Sequence, residues 1–359
     1  MVGLGSNDSL RGIFSTIFQE HFSLTTTQLG LIVTASYIGN LVFLLVGGNL
    51  STRFSKKRVL QVLILIWMVA LALFAFTSNY TVLLIGMALA LGSSTLLNTT
   101  MNLITPLLFA TAPGFFVNFL FFTQEIGTSG SQYILGSHAD GFAFWQHTNL
   151  VLLILGAVAF ALLLFCNVPE EAADPADTPA QKGGYDWRII VPYVLVFGFY
   201  FIAEHGVMNW MVAYGVDGLG LPQASAAKYL SVFFGGMMIG RLCLSPLVDK
   251  LGALKSLAAF GGVSCVLYLI GSLGGAVTMP VWAISGFSFS LLYPPLVMSI
   301  RLYFPAQQVS GAAGTILSIA SLADILFNVG FGKLVDMAGY AVSIRVLPLS
   351  VLAFFIVFM

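Results

Sequence analysis

Apolar runs, each about as long as a membrane-crossing helix, occupy most of the chain. A helix needs roughly 20 residues to cross a hydrocarbon core of about 30 Å, and the runs are bounded by turn residues or charges. Twelve runs lie near residues 1–22, 28–50, 59–77, 81–107, 115–137, 148–166, 189–214, 225–248, 254–272, 279–303, 309–335 and 341–359. The pattern predicts an all-α membrane protein with twelve transmembrane helices.

The composition supports a membrane protein and excludes several other classes. Of the 359 residues, 58% are hydrophobic and 8% are charged, whereas soluble domains carry about 25% charged residues. The formal net charge is zero, and no basic stripe suggests a nucleic-acid partner. Three widely spaced cysteines give neither a disulfide framework nor a metal-binding spacing. The chain shows no nucleophile and base set and no phosphate-binding glycine loop, so we expect neither an enzyme nor a bound cofactor.

The distribution of lysine and arginine predicts the orientation in the membrane, because cytoplasmic loops retain positive charge. If the loop at residues 51–58 lies inside, the inside positions are Arg53, Lys56, Lys57, Arg58, Lys182, Arg188, Arg241, Lys250, Lys255 and Arg301. The outside positions are then Lys228, Lys333 and Arg345. We therefore expect a multi-pass protein of the plasma membrane, or cell inner membrane, with both termini in the cytoplasm.

The second half of the chain repeats the first at an offset of about 197 residues. This offset brings Gly39 onto Gly236 and Arg53 onto Lys250. Since six helices return the chain to its starting side, the two halves are parallel repeats. The predicted organisation is an N-terminal six-helix bundle at 1–166, a polar and acidic cytoplasmic linker at 167–188, and a C-terminal six-helix bundle at 189–359. The same offset indicates that helix one lacks its first turns.

Two loops at equivalent places in the repeat carry a basic motif. The loop after the second helix reads GNLSTRFSKKR from residue 48, and the loop after the eighth reads SPLVDKLGALK from residue 245. Both resemble the signature loop of the major facilitator superfamily, in which basic and acidic residues latch the cytoplasmic side in one conformation. The resemblance implies a latch formed by Arg53, Lys56, Asp249 and Lys250. The first loop has Thr52 where the family has Asp, so the acidic part is expected in the second loop alone. Anchoring of the basic residues at lipid headgroups is the alternative.

Further segments are similar to one branch of that superfamily, the fucose permease and related sugar-proton symporters. The entry to helix two, FSLTTTQLGL from residue 22, resembles this branch, as do Asn118 with Gly127 in helix five. Helix seven, with EHG from residue 204 followed by NW, and helix ten, with YPP from residue 293, are similar again. The acid that the branch has in helix four is replaced, with Thr95 nearest its place, which puts proton coupling through helix four in doubt.

Several ionisable side chains fall inside the apolar runs. Each costs at least about 2.5 kcal/mol at mid-membrane on insertion scales, so each is a candidate for function. They are Asp8, Arg11, Glu125, Glu204, His205 and Asp324. Asp8 and Arg11 are three residues apart and could simply pair on one helix face. His205 fits a packing role, and Asp324 ranks lower because helix eleven usually lies farther from the axis in the family.

Glu125, Glu204 and Asp8 are the predicted proton carriers. Glu125 and Glu204 have no basic residue at helical spacing. Because burial favours the protonated form of a carboxyl group, such a side chain can take up and release a proton. The alternative is a neutral acid that hydrogen-bonds to a neighbouring helix.

Amides and aromatic rings complete the predicted substrate site. They are Asn98, Asn102, Gln124, Tyr200, Asn209, Trp210 and Tyr293, together with Asp8, Arg11, Glu125 and Glu204. A few polar groups on apolar walls are typical of a pocket for a small ligand. For any single amide, hydrogen bonding between helices is an equally good interpretation.

The sequence therefore predicts a secondary transporter that moves a small polar solute, preferably a sugar, by proton-coupled alternating access. The resemblance places the solute between the two bundles, so a monomer in the lipid bilayer suffices and the proton is the coupling ion. One alternative is a drug or metabolite exporter working by proton antiport on the same fold. Another is a sensor that has kept the fold without transport.

Overall fold

The computed structural model describes residues 1–109, 113–168, 186–304 and 306–359. Within these ranges it does not describe the side chains at 46–53, 103, 106, 107, 113–115, 117, 118, 245, 246, 249 and 306–311. The chain divides into two compact units, Met1–Asp174 and Pro175–Met359.

Unit 1 is a bundle of helices in which the first membrane span is broken once. The break lies at Phe14, between two short helices. The helices are α1 (Val2–Ile13), α2 (Ser15–Phe22), α3 (Thr26–Arg53), α4 (Lys56–Phe76), α5 (Tyr80–Leu108), α6 (Pro113–His138) and α7 (Phe142–Phe165). Asn79 begins α5 by accepting hydrogen bonds from the backbone amides of Thr81 and Val82, which satisfies two of the free donors at a helix start.

Unit 2 has the same order of spans with more interruptions. Its helices are α8 (Trp187–Ala213), α9 (Gln223–Leu251), α10 (Ala253–Leu273), α11 (Met279–Phe289), α12 (Tyr293–Ser299), α13 (Ala306–Ala338), α14 (Tyr340–Ser343) and α15 (Val346–Phe358). A π-helical turn, Tyr214–Gly218, extends α8. The tenth span is interrupted between α11 and α12, where Pro294 and Pro295 lack the amide hydrogens that a continuous helix needs.

The twelve predicted spans are confirmed, with corrections to particular boundaries. Ten helices of the described residues are long and apolar enough to cross a membrane, and α1 with α2, and α6, account for the other two spans. The sixth span begins at Phe142 and not near residue 148. Arg241, which the sequence assigned to an inside loop, lies within α9. It therefore does not count towards the charge bias that predicts the orientation.

The outward faces of the helices carry the apolar surface that a bilayer requires. On α7, Val151, Leu155, Val158 and Leu162 are each more than half exposed and recur at three- and four-residue spacing, which places them along one helix face. Lipid tails are as apolar as these side chains and cover such a stripe without cost. The chain is an integral, multi-pass membrane protein.

Glycines permit the closest helix crossings in both units. A Cβ on Gly127 of α6 would stand 2.0 Å from the carbonyl oxygen of Val2 in α1, and one on Gly5 of α1 would stand 2.0 Å from that of Gln124. In unit 2 a Cβ on Gly286 of α11 would meet the carbonyl oxygen of Phe233 at the same distance. Small residues at such crossings let backbones approach and are typical of packing between membrane helices.

Candidate functional site

A polar cluster in unit 1 centres on Asp8, at mid-length in α1. The Oγ of Ser94 in α5 donates a hydrogen bond of 3.1 Å to Asp8 Oδ2. The amide of Asn7 lies 3.5 Å from Asp8 Oδ1. Asp8 is partly exposed, whereas Ser94 and Asn7 are buried. The Asp8 carboxyl is therefore held by two neutral hydrogen-bond donors and also lies within electrostatic reach of the Arg11 guanidinium.

An amide ladder continues the same cluster across two helices. Asn102 Nδ2 donates to Asn98 Oδ1 at 2.9 Å, and Asn98 Nδ2 donates to Gln124 Oε1 of α6 at 2.7 Å. All three side chains are partly exposed. The ladder brings together three residues that the sequence predicted for the solute site, and its open faces offer both donors and acceptors to a hydroxylated ligand.

Arg11 adds a buried cation to this cluster. Its residue exposure is 5%, and its guanidinium carbon lies 5.5 Å from the centre of the Tyr37 ring in α3, a cation–π arrangement. Asp8 accepts from Ser94, so these two charged residues of α1 each contact a side chain on a different neighbouring helix. Glu125 lies beside Gln124 on α6 and is partly buried.

A second polar cluster, in unit 2, contains Glu204 and Arg241. Arg241 of α9 places a guanidinium nitrogen 3.8 Å from Glu204 Oε1 of α8. The Glu204 side chain is 14% exposed and the Arg241 side chain 29%. Glu204 thus finds a cation on a neighbouring helix, although none lies at helical spacing along α8.

The next residue of α8 starts a chain of buried hydrogen bonds. His205 Nδ1 lies 2.6 Å from Asp324 Oδ2 of α13. Asn328, one turn later on α13, donates to Asp324 Oδ1 at 3.2 Å, and Trp210 Nε1 of α8 donates to Asn328 Oδ1 at 2.9 Å. Asp324 is 1% exposed and Asn328 is fully buried. These hydrogen bonds hold both oxygens of the Asp324 carboxylate.

Aromatic rings line the region of α8 before Glu204. Tyr200 stacks on Phe289 of α11 at 5.1 Å between ring centres and lies 5.5 Å from Tyr293 of α12. Tyr293 is partly exposed, whereas Tyr200, Asn209 and Trp210 are at most 2% exposed. Of the residues predicted for the solute site in unit 2, Tyr293 and Glu204 are therefore partly exposed, whereas Tyr200, Asn209 and Trp210 lie in the packed interior.

The two loops of the predicted latch lead into the following helices with different local structures. The side chains of Arg53 and Asp249 lie outside the described residues. Lys56 is partly buried and Lys250 is exposed. In the first loop Ser55 begins α4 and its Oγ accepts from the Arg58 amide, whereas in the second Gly252 has a φ of +80°, a conformation that glycine adopts without strain.

Sequence reasoning missed three members of these clusters. Ser94 and Asn328 gave no signal, because buried serines and asparagines are common in membrane helices. Arg241 did give one, since a charge in the middle of an apolar run is unusual, but it was counted as part of a loop. His205 and Asp324 were both noticed, yet their pairing joins positions 119 residues apart.

Two units of six spans each, with polar side chains at mid-helix, define the class of multi-pass helical membrane proteins to which this chain belongs. The family model of the Major Facilitator Superfamily matches residues 2–328. The chain belongs to this superfamily.

Curated relatives are similar at low identity. A Helicobacter pylori protein, whose name assigns it to glucose/galactose transport, is 27% identical over 189 residues, which cover 51% of this chain and 46% of that protein. The chain thus spans about half the length of this relative. The glucose/galactose transporter of Brucella abortus is 26% identical over 342 residues, covering 89% of this chain and 81% of the relative. The L-fucose-proton symporter of Escherichia coli K12 is 23% identical over 333 residues, covering 80% and 75%.

Solved structures agree on the fold. A D-xylose-proton symporter superimposes with a TM-score of 0.78 at 17% identity, covering 99% of this chain and 94% of that one. A variant of the Escherichia coli fucose–proton symporter gives a TM-score of 0.65 at 18% identity, covering 99% and 95%.

Proposed function

We propose that this protein is a sugar–proton symporter that works by alternating access. The observation that carries the proposal is the amide ladder of Asn102, Asn98 and Gln124 within a major facilitator fold. Relatives with this fold are a glucose/galactose transporter and an L-fucose-proton symporter. A neutral ladder of donors and acceptors suits a neutral, hydroxylated solute, because it satisfies hydroxyl groups without introducing a charge.

The proposed solute ligands fall into two sets, one in each unit. In unit 1 they are the three ladder amides with Asp8, Arg11 and Glu125. In unit 2 they are Glu204 and Tyr293, with Tyr200, Asn209 and Trp210 as the packed support behind them. A carboxylate accepts hydroxyl hydrogens, and an aromatic face packs against the apolar C–H face of a sugar ring.

For the coupling proton, we favour Asp8 over Glu125 and Glu204. Asp8 is held by a hydroxyl and an amide, so loss or gain of its proton changes the charge at the centre of the cluster. Glu204 has the guanidinium of Arg241 within 3.8 Å, which suits a lasting ion pair. Glu125 stays a candidate on the basis of its position in α6.

The remaining properties follow from this role. We propose a monomer in the plasma membrane, with both termini and the linker in the cytoplasm and the latch residues Arg53, Lys56, Asp249 and Lys250 on the same side. We expect no enzymatic activity, no metal or organic cofactor and no nucleic-acid partner, since a proton gradient and a solute are all that symport needs.

Uptake by purified protein in proteoliposomes tests the proposal. With an inward proton gradient, we expect accumulation of at least one of D-glucose, D-galactose and L-fucose, abolished by a protonophore. Proton-driven efflux of a lipophilic cation with no sugar uptake would establish an exporter instead. Sugar binding with no flux of any panel member, in either direction, would establish a sensor.

A further inference from the structure

The contact between His205 and Asp324 is closer than the ion pair between Arg241 and Glu204 in the same unit. Its 2.6 Å separation is short for a nitrogen–oxygen hydrogen bond. An ionised carboxylate only accepts hydrogen bonds, so the proton between the two groups sits on Nδ1. In the neutral imidazole Nε2 then carries the lone pair and is the basic atom.

The surroundings fix this arrangement. Asn328 occupies the other oxygen of Asp324 at 3.2 Å, and Trp210 in turn fixes Asn328. Phe201, one turn earlier on α8, stacks on the imidazole at 5.4 Å with the ring planes 5° apart. The carboxylate is thus buried and oriented, while the His205 side chain is 24% exposed and so is not fully enclosed by protein.

Charge decides what a proton does at this pair. With one proton on Nδ1, the pair carries a net charge of −1. This charge lies on the Asp324 carboxylate, and Asp324 is 1% exposed. A second proton, taken from water to form the Nε2–H bond, makes the pair neutral overall and sets an imidazolium against the carboxylate. Release breaks the same N–H bond and returns the proton to water. The proton needs no co-reactant.

Other ionisable groups lie on α8 and on the elements around it. Among the described residues they include Arg188, Tyr193, Tyr200 and Glu204 on α8, Lys228, Tyr229, Arg241, Cys243 and Lys250 on α9, Tyr268 on α10, Tyr293 on α12, Lys333 and Asp336 on α13, and Tyr214, Asp217, Tyr340 and Arg345 beyond the end of α8. Glu204, the neighbour of His205 on α8, lies 3.8 Å from Arg241 of α9, so these two opposite charges partly offset each other. The described residues of α15 contain no ionisable side chain.

We propose that His205, oriented by Asp324, binds a second coupling proton in addition to the one at Asp8. The repeat supports this assignment, since His205 occupies the position in α8 that Asp8 occupies in α1. The pair also joins α8 to α13, so a proton that changes its charge changes the attraction between these two helices. This inference rests on the proposed symport.

Accumulation at equilibrium measures the number of coupled protons. With the membrane potential clamped to zero, each coupled proton contributes about a tenfold solute gradient per pH unit, or about 1.4 kcal/mol. At a gradient of one pH unit, we expect the wild-type protein in proteoliposomes to approach about a hundredfold accumulation of the panel sugar it takes up, and His205→Gln to approach about tenfold. His138→Gln, at an exposed position of α6, is the matched control and keeps the wild-type value. Exchange of labelled for unlabelled sugar, which needs no proton gradient, continues in all three.

The second variant, Asp324→Asn, tests the positioning role. Its amide oxygen still accepts from Nδ1, but the counter-charge is gone, so protonation of His205 requires a lower pH. We expect the pH at which sugar uptake is half-maximal to be lower in Asp324→Asn than in the wild type. The NMR signals of the His205 ring in the full-length protein are identified by their loss in His205→Gln. We expect the pH midpoint of their titration to be lower in Asp324→Asn than in the wild type.

Each outcome has one interpretation. If the wild type accumulates sugar only about tenfold per pH unit, or His205→Gln matches the wild type, the second proton site is refuted while sugar symport stands. If the wild type accumulates none of the panel sugars, the proposed function fails, and the NMR titration still decides protonation. An imidazole that does not titrate between roughly pH 5 and 8, or that ignores Asp324→Asn, overturns the inference.

Discussion

The α1–α6 crossing in unit 1 and the equivalent α8–α13 crossing in unit 2 are held by different kinds of contact. In unit 1, α1 crosses α6 at Gly127, so closely that a Cβ there would overlap the carbonyl oxygen of Val2. The repeat offset that places Asp8 on His205 also places Gly127 on Asp324. At the equivalent crossing in unit 2, α8 and α13 meet through the hydrogen bond between these two ionisable residues. A glycine crossing is held by backbone contact and is insensitive to protons, whereas the imidazole–carboxylate crossing depends on them.

The proton acceptors differ in the same sense. Asp8 accepts hydrogen bonds from two neutral groups, Ser94 and Asn7, with the Arg11 guanidinium within electrostatic reach. In the proposed mechanism Asp8 is itself the acid, whereas His205 binds its proton beside the carboxyl group of Asp324. Under the proposed symport, one repeat supplies an acid and the other a base, and coupling resides in this asymmetry between the two halves.

Removal of both proton sites gives the largest expected effect. The double variant Asp8→Asn with His205→Gln should reach only an equal concentration of sugar on both sides, at any pH gradient, because no coupled proton remains. Sugar exchange in the same vesicles should persist, which shows that the protein is folded. If Asp8→Asn alone already abolishes accumulation, coupling resides wholly in unit 1 and the comparison is broken.

The glycine crossing can be tested by adding one methyl group. Gly127→Ala drives a Cβ into the backbone of α1, and overpacking of this kind typically costs about 1–3 kcal/mol. We expect a lower melting temperature for the purified protein. Gly130→Ala, on the same helix with no atom within 4 Å of the new Cβ, is the matched control and should be neutral. Equal melting temperatures would show that the α1–α6 crossing relaxes without cost.

The amide ladder should affect solute affinity more than coupling. Asn98→Ala removes hydrogen bonds worth about 1 kcal/mol, so we expect the KM for sugar uptake to rise about fivefold, with the accumulation ratio unchanged. Thr99→Ala is the control, since the Thr99 hydroxyl bonds to the backbone of its own helix. An unchanged KM would assign the ladder to helix packing alone.

The ion pair between Glu204 and Arg241 should show the smallest effect. Since the atoms are 3.8 Å apart and both side chains are partly exposed, we expect a coupling free energy of about 0.5–1 kcal/mol between them. It is measured from the melting behaviour of Glu204→Gln, Arg241→Leu and the double variant. Glu204→Gln should also leave proton-driven accumulation intact. Its loss, with exchange retained, would instead make Glu204 a coupling residue, as the sequence first suggested.

Much of the fold could be predicted because its causes are local. The thickness of the hydrocarbon core sets the length of each apolar run, and Pro294 with Pro295 marks the break in the tenth span. The break at Phe14 coincides with no proline and no charged residue, so it could not be predicted from the sequence. The start of the sixth span was missed because the polar residues near Gln146 read as a loop, although they lie in the first turns of α7.

The sequence by itself determined the twelve spans, the repeat, the superfamily resemblance and the set of charges within the membrane. Only the tertiary structure decided which of these charges meet. Ser94 reaches Asp8, Arg241 reaches Glu204, and Asp324 reaches His205, each from a different helix. These contacts depend on the rotation of each helix about its axis and on how closely neighbours approach. Hydrophobicity fixes neither quantity, because lipid accepts any apolar face equally.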